Sequence, residues 1–222
     1  MADGRGFSTI CDSALAKKVR AKVDVEKERE DEWWGTALGE VREIEDPIER
    51  REARAELEAE RLRRRESGEC LASRDALLRY HLAAVLKSNG WDRKYKPVPK
   101  GKASIPGRRV GVTPNSDRTG DRKGRLACNL PRQLWEQARR AAYWESEPAE
   151  RELQRWAGRF GDGLGAADRM GGAEGLAIML KLAGGRGPKR EDMERRTALR
   201  KKVMTTGDLL RMAAERAVAA TS

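Results

Sequence analysis

Few side chains in this sequence could do covalent or metal chemistry, and they lie far apart. The chain of 222 residues has one histidine, His81, and three cysteines, Cys11, Cys70 and Cys128. A zinc site needs about four Cys, His or carboxylate ligands at matched spacing. No C-x-x-C pair occurs here, so neither a metal centre nor a cofactor is expected. One histidine cannot complete a Ser/His/Asp or Cys/His set, and His81 reads as an ordinary packed or surface residue. Isolated thiols in odd number read as reduced cysteines of a cytoplasmic protein. Gly161-x-Gly163-x-Gly165 follows a helical pattern and not a strand, which is the wrong context for a dinucleotide fingerprint. Gly184-Gly185-Arg186-Gly187-Pro188-Lys189 lacks the Gly-Lys-Ser/Thr ending of a phosphate loop. The many carboxylates alternate with arginines on exposed helices, as solvated pairs do. Catalysis is not expected.

Charge is the stronger signal. Lys and Arg number 47 against 36 Asp and Glu, a net of +11. Such a balance favours a polyanionic partner. The excess is concentrated: Glu26 to Glu66 holds 15 acidic and 10 basic residues, whereas Arg93 to Arg125 holds 11 basic and 2 acidic. The second stretch also carries Pro97, Pro99, Pro106 and Pro114, which forbid long regular elements. It reads either as a solvated linker or, the favoured reading, as a basic arm that tracks phosphates and orders on binding. Lys94, Lys96, Lys100, Lys102, Arg108, Arg109 and Lys123 are its candidate phosphate contacts.

The elements that must position these groups are mostly helices. With 38% hydrophobic and 37% charged residues, the chain cannot bury a large parallel sheet. Residues 1–12 read as loose. A helix is expected from about Ser13 to Glu32 behind an Asp12 cap, with Leu38, Val41 and Ile44 continuing at helical spacing. Asp46-Pro47-Ile48-Glu49 starts another, to about Arg65, with Ile48, Ala55, Ala59 and Leu62 as its thin apolar stripe. Such a helix packs on one face or forms a coiled-coil-like arm. Ser73 caps a third, which Asn89-Gly90 stops. Beyond residue 160 a short apolar helix is expected near Glu174–Leu182, another from Pro188 to Met204, and a last one behind a Thr205 cap. No stretch reaches ~18 consecutive apolar residues, so no membrane span is expected.

Gly124 to Phe160 is the informative stretch. Leu126, Cys128 and Leu130 alternate with Arg125, Ala127 and Asn129, a period of two that marks a strand ended by Pro131. Leu134, Trp135, Ala138, Ala141 and Ala142 then follow a helical period. Near Glu145-Ser146 that helix is expected to break, with Ser146 capping a second one that carries Ala149, Leu153 and Trp156. A lone strand leaves its edge groups unsatisfied. Antiparallel pairing with a second copy would cure this, over helices that bury their apolar faces beneath. The outward side chains of such a ribbon fit the major groove of DNA.

On the alternating R-L-A-C-N-L-P strand, the L-W-x-x-A-x-x-A helix and the second helix R-E-L-Q-R-W, this segment resembles the ribbon-helix-helix family of DNA-binding proteins. A helical hairpin preceded by a loop is the alternative. The resemblance implies a homodimer whose ribbon lies in the major groove, with Arg125, Ala127 and Asn129 on base edges. It implies a phosphate anchor near Ser146. Leu126, Cys128, Leu130, Leu134, Leu153 and Trp156 would form the dimer core.

The sequence therefore reads as mainly α, with one short strand per protomer forming an intermolecular ribbon. Its expected parts are a charged helical region (1–90), a basic linker (91–123), the ribbon-helix-helix module (124–160) and a C-terminal helical region (161–222). The expected function is sequence-specific binding of double-stranded DNA by a cytoplasmic homodimer. A transcriptional regulator or an accessory protein of plasmid or mobile-element maintenance would do this. The alternative is a helical scaffold subunit of a nucleoprotein complex, docking a protein partner through its N- or C-terminal helices and touching nucleic acid non-specifically.

Overall fold

The computed structural model describes residues 4–99, 124–160 and 189–220. In chain order they form β1 (Gly4–Cys11), α1 (Ser13–Arg42), α2 (Pro47–Ser67), α3 (Arg74–Ser88), β2 (Gly124–Pro131), α4 (Arg132–Phe160), α5 (Arg190–Lys202) and α6 (Thr206–Ala219). The protein is mainly helical, with one two-stranded antiparallel sheet. Among the described residues no helix is long and apolar enough to cross a membrane. The expected helix near residues 174–182 lies outside the described residues.

Capping chemistry sets the helix starts. Asp12 accepts from the Ala14 amide at 2.7 Å, Asp46 from the Ile48 amide at 2.7 Å, and Ser73 from the Ala76 amide at 3.1 Å. Each side chain satisfies one of the amides that a helix N-terminus leaves open. Pro47 opens α2 where no amide is needed. Gly68 closes α2 in the left-handed region, φ 84°, where a side chain would also collide with the Tyr80 ring. Trp33 and Trp34 do not interrupt α1, which runs on to Arg42.

The strand β2 has a partner in its own chain. It pairs antiparallel with β1, from Gly4 opposite Pro131 to Cys11 opposite Gly124. The sequence expectation of a loose N-terminus and one strand per protomer is corrected on this point. The overlooked signal is the period-two alternation of Phe7, Thr9 and Cys11, masked by the two glycines ahead of it. Gly124 permits the close approach of the two strand ends, since a Cβ there would lie 2.7 Å from the Asp12 carbonyl oxygen.

The expected break at Glu145-Ser146 is absent too. α4 is a single 29-residue helix with Pro148 inside it. Proline removes one helical hydrogen bond and crowds the preceding turn, at ~3 kcal/mol. Packing on this stretch offsets the cost: Ser146 and Ala149 are buried, and Ala149 meets Leu199 and Val203, with Leu153 against them.

Two compact units result. The first takes the described residues up to Asp92, 124–136 and 207–220. The second takes 93–99, 137–160 and 189–206. These units cut across the divisions at residues 90, 123 and 160 that composition suggested. In the first unit α1 and α3 pack on β2, and α1 also packs on α2 and α3. Its core gathers Phe7, Cys11, Val19, Leu77, Leu78, Leu82, Val85, Leu86, Leu126, Leu130, Leu209 and Leu210, all buried. Burying a side chain of this kind contributes about 1.5–3 kcal/mol.

The α1–α2 hairpin is held differently. α2 buries none of its residues. Its inner contacts are polar and aromatic: Glu30 accepts from Arg61 at 2.6 Å and Arg65 at 2.5 Å, while Arg61 and Arg64 stack over Trp34 and Trp33 at 4.5 and 4.2 Å. Burial alone would raise the Glu30 carboxyl. Hydrogen bonds from Arg61, Cys70 and Arg65 outweigh it and hold the group below its ordinary value.

Candidate nucleic-acid interface

Alternation along the ribbon separates two faces. Phe7 and Cys11 of β1 and Leu126, Cys128 and Leu130 of β2 turn inward and are buried. Gly6, Ser8 and Ile10 turn outward, opposite Asn129, Ala127 and Arg125 in that order. Arg125 and Asn129 are exposed and Ala127 is half-buried.

The two polar side chains that β2 brings to this face are both held. Arg125 Nη2 donates to Ser8 Oγ across the ribbon at 3.1 Å. Asn129 Nδ2 donates to Asp75 Oδ2 of α3 at 3.2 Å, and the Asp75 carboxylate lies 3.9 Å from Arg79. Arg125 keeps further N–H donors, and Asn129 keeps its second N–H and its Oδ1. Ala127, between them, and Gly6, opposite Asn129, leave the surface low. A Cβ on Gly6 would lie 3.6 Å from Asn129 Oδ1.

An arginine guards a backbone carbonyl on each strand. Arg79 Nε donates to the Asn129 carbonyl at 2.7 Å, and Arg211 Nη1 of α6 donates to the Ile10 carbonyl at 2.9 Å. Arg211 also pairs with Asp208 one turn earlier. Open strand edges invite pairing with another chain, and groups that occupy the edge suppress it.

Of the six residues assigned to a dimer core, four are buried within the chain. Leu126, Cys128 and Leu130 lie at most 3% exposed in a strand on which α1 and α3 pack. Leu134 is half-buried. Leu153 joins the Ala149, Leu199 and Val203 cluster of the second unit, and Trp156 is buried with Arg196 4.8 Å over its ring.

Ser146 is likewise corrected as a phosphate anchor. It is 0% exposed, it donates to the Met204 carbonyl at 3.0 Å and it accepts from the Met204 amide at 2.7 Å. Within an unbroken helix it caps nothing, and it has no surface to offer.

Of the basic arm, Lys94 and Lys96 fall among the described residues and are exposed. Lys100, Lys102, Arg108, Arg109 and Lys123 lie outside them. The two lysines flank buried Tyr95, whose hydroxyl donates to Glu145 at 2.6 Å. Arg93 reaches the same carboxylate at 2.5 Å, Gln137 donates to the Arg93 carbonyl, and Trp144 donates to the Lys96 carbonyl. Burial and the Glu145 bond push the Tyr95 hydroxyl up to about 12. The start of the arm is thus strapped to α4, with both lysines held outward.

None of the three cysteines resembles a primed nucleophile. Burial raises all three thiols, Cys128 to about 11, and a thiol above its ordinary value is mostly protonated. Among the described residues no group of three His, Cys, Asp or Glu could hold a metal ion. What the face offers is hydrogen-bond donors and acceptors at set positions on a narrow ribbon.

Fold and surface together define a mainly helical protein that carries a two-stranded antiparallel ribbon on α1 and α3. No protein-family model matches the chain, and neither a curated protein nor a solved structure matches it.

Proposed function

We propose that this protein binds double-stranded DNA through the solvent face of the β1–β2 ribbon and acts as a regulator or accessory factor at a defined site. One observation carries the reading. Arg125 and Asn129 stand exposed at set positions on a ribbon whose other face is covered by helices. The major groove, ~12 Å wide, admits a two-stranded ribbon. An Arg fork matches guanine O6 and N7, and an Asn amide matches adenine N6 and N7. The net charge of +11 supplies attraction that does not depend on sequence.

The dimer of the ribbon-helix-helix reading was a means of satisfying β2. With β1 in that position, the DNA-binding proposal needs no second copy.

Replacing Arg125 or Asn129 with Ala tests it. A base read in this way contributes about 1–3 kcal/mol of discrimination. Affinity for a selected duplex, measured by fluorescence anisotropy, should therefore fall about five- to 150-fold. Affinity for random duplex should change little. Equal losses on both DNAs would sink base reading by the ribbon.

The scaffold alternative has one observation in its favour. The stripe Ile48, Ala55, Ala59 and Leu62 faces solvent on α2, with Ile48 70% and Leu62 58% exposed. If the protein is a scaffold, Leu62→Glu should abolish partner capture and leave DNA affinity intact.

A further inference from the structure

We infer that the DNA-reading surface is asymmetric: one chain engages one short duplex element without two-fold symmetry, and Ser8 and Ile10 of β1 read bases beside Arg125, Ala127 and Asn129 of β2. This inference rests on the DNA-binding reading above and adds the stoichiometry, the symmetry of the target and two further specificity residues.

Strand register is the ground for it. A ribbon built from two copies of one strand presents each outward residue twice, and its target mirrors that two-fold axis. Here the two strands differ. β1 brings Gly6, Ser8 and Ile10, while β2 brings Asn129, Ala127 and Arg125. At one end an exposed apolar side chain, Ile10, stands opposite the Arg125 guanidinium. At the other, Gly6 stands opposite the Asn129 amide. No rotation exchanges these ends.

The chemistry of each end follows. Ile10 can meet a thymine methyl beside a guanine that Arg125 holds by its fork. Ser8 accepts from Arg125, so its own O–H is left to donate to a base acceptor such as N7. Gly6 leaves space for a base edge to reach the Asn129 amide. The step from Arg125 to Asn129 covers about 13 Å at ~3.3 Å per residue. That is about four base steps at ~3.4 Å each.

The arginines argue against a second ribbon alongside. For a copy to pair with β2 or β1, it would have to compete with Arg79 for the Asn129 carbonyl or with Arg211 for the Ile10 carbonyl.

The test uses the full chain and a pool of short random duplexes, selected by binding in the presence of non-specific competitor. Enriched sequences are read, and the protein–duplex complex is weighed by sedimentation equilibrium. The expected motif spans about four to five base pairs with no inverted repeat, and one chain sits on each duplex. Ser8→Ala and Ile10→Ala should each weaken the selected site about fivefold or more. They should also relax preference at one base, with random-duplex affinity and thermal midpoint unchanged. An inverted-repeat motif carrying two chains would overturn the asymmetry and leave the DNA-binding reading standing. An asymmetric motif whose preferences survive both β1 changes would remove β1 as a reader. Absence of any enriched motif would overturn the DNA-binding reading itself.

Discussion

His81 shows how burial, reinforced by nearby positive charge, sets a residue's chemistry. It is 6% exposed, Nδ1 has no hydrogen-bond partner among the described residues, and the Tyr80 ring meets it edge-on at 5.3 Å. Burial lowers its pKa first, and the positive charges of Arg216 and Lys22 lower it further. The folded state therefore favours the neutral form. As pH falls below about 6.5, the ordinary value, the unfolded chain takes up a proton that the folded chain refuses. Stability contributed by this site is complete above that pH and is lost as pH drops toward the lowered folded value. Thermal midpoints should thus fall from about pH 7 to about pH 5.5 in the parent and stay flatter in His81→Leu. Parallel slopes in the two proteins would contradict the assignment. Glu30 acts in a separate, lower window. Its carboxyl is held below its ordinary value of 4.5, so its contribution is lost only as pH falls beneath that.

Among the elements, α4 departs most from what its local residues suggest. Glu145-Ser146-Glu147-Pro148 has the composition of a helix end followed by a new start, yet the helix passes through it. Ser146 plays a different part, since both its hydrogen bonds bracket Met204, at the junction of α5 and α6. Ser146→Ala would leave the Met204 amide and carbonyl without these partners. Such a loss costs about 1–3 kcal/mol per buried group. A lower denaturation midpoint, with faster hydrogen exchange at the Met204 amide, should follow. Unchanged exchange there would mean that the bracket contributes nothing. The ribbon shows the opposite relation of local signal to outcome. The alternation of Leu126, Cys128 and Leu130 is strong, and a strand forms where it says; only the identity of the partner strand is not local.

For the whole molecule, the net charge of +11 predicts how binding depends on salt. Lys94 and Lys96 are held outward by the strap on Glu145 and Trp144, and can form phosphate contacts that carry no sequence information. Removing one phosphate contact lowers the slope of log K against log salt by about 0.9. Changing both lysines to Gln should reduce that slope by up to about 1.8 and weaken selected and random duplexes alike. A change confined to the selected duplex would make these lysines base readers.

How much was legible in the sequence depended on the range of the interaction. Asp12, Asp46-Pro47 and Ser73 mark the starts of α1, α2 and α3, because a cap acts within one turn. The strand at Gly124–Pro131 and the outward set Arg125, Ala127 and Asn129 also follow from the sequence, since a period of two is a property of consecutive residues. Pairing is not local. β1 and β2 lie more than a hundred residues apart and meet because Phe7, Cys11, Leu126 and Leu130 share one core over α1 and α3, which no window along the chain contains. The same holds for Ser146 with Met204, Arg211 with Ile10 and Asp75 with Asn129. Sequence by itself determined which residues could turn outward; tertiary packing decided which of them share a face, because burial couples residues by distance in space and not along the chain.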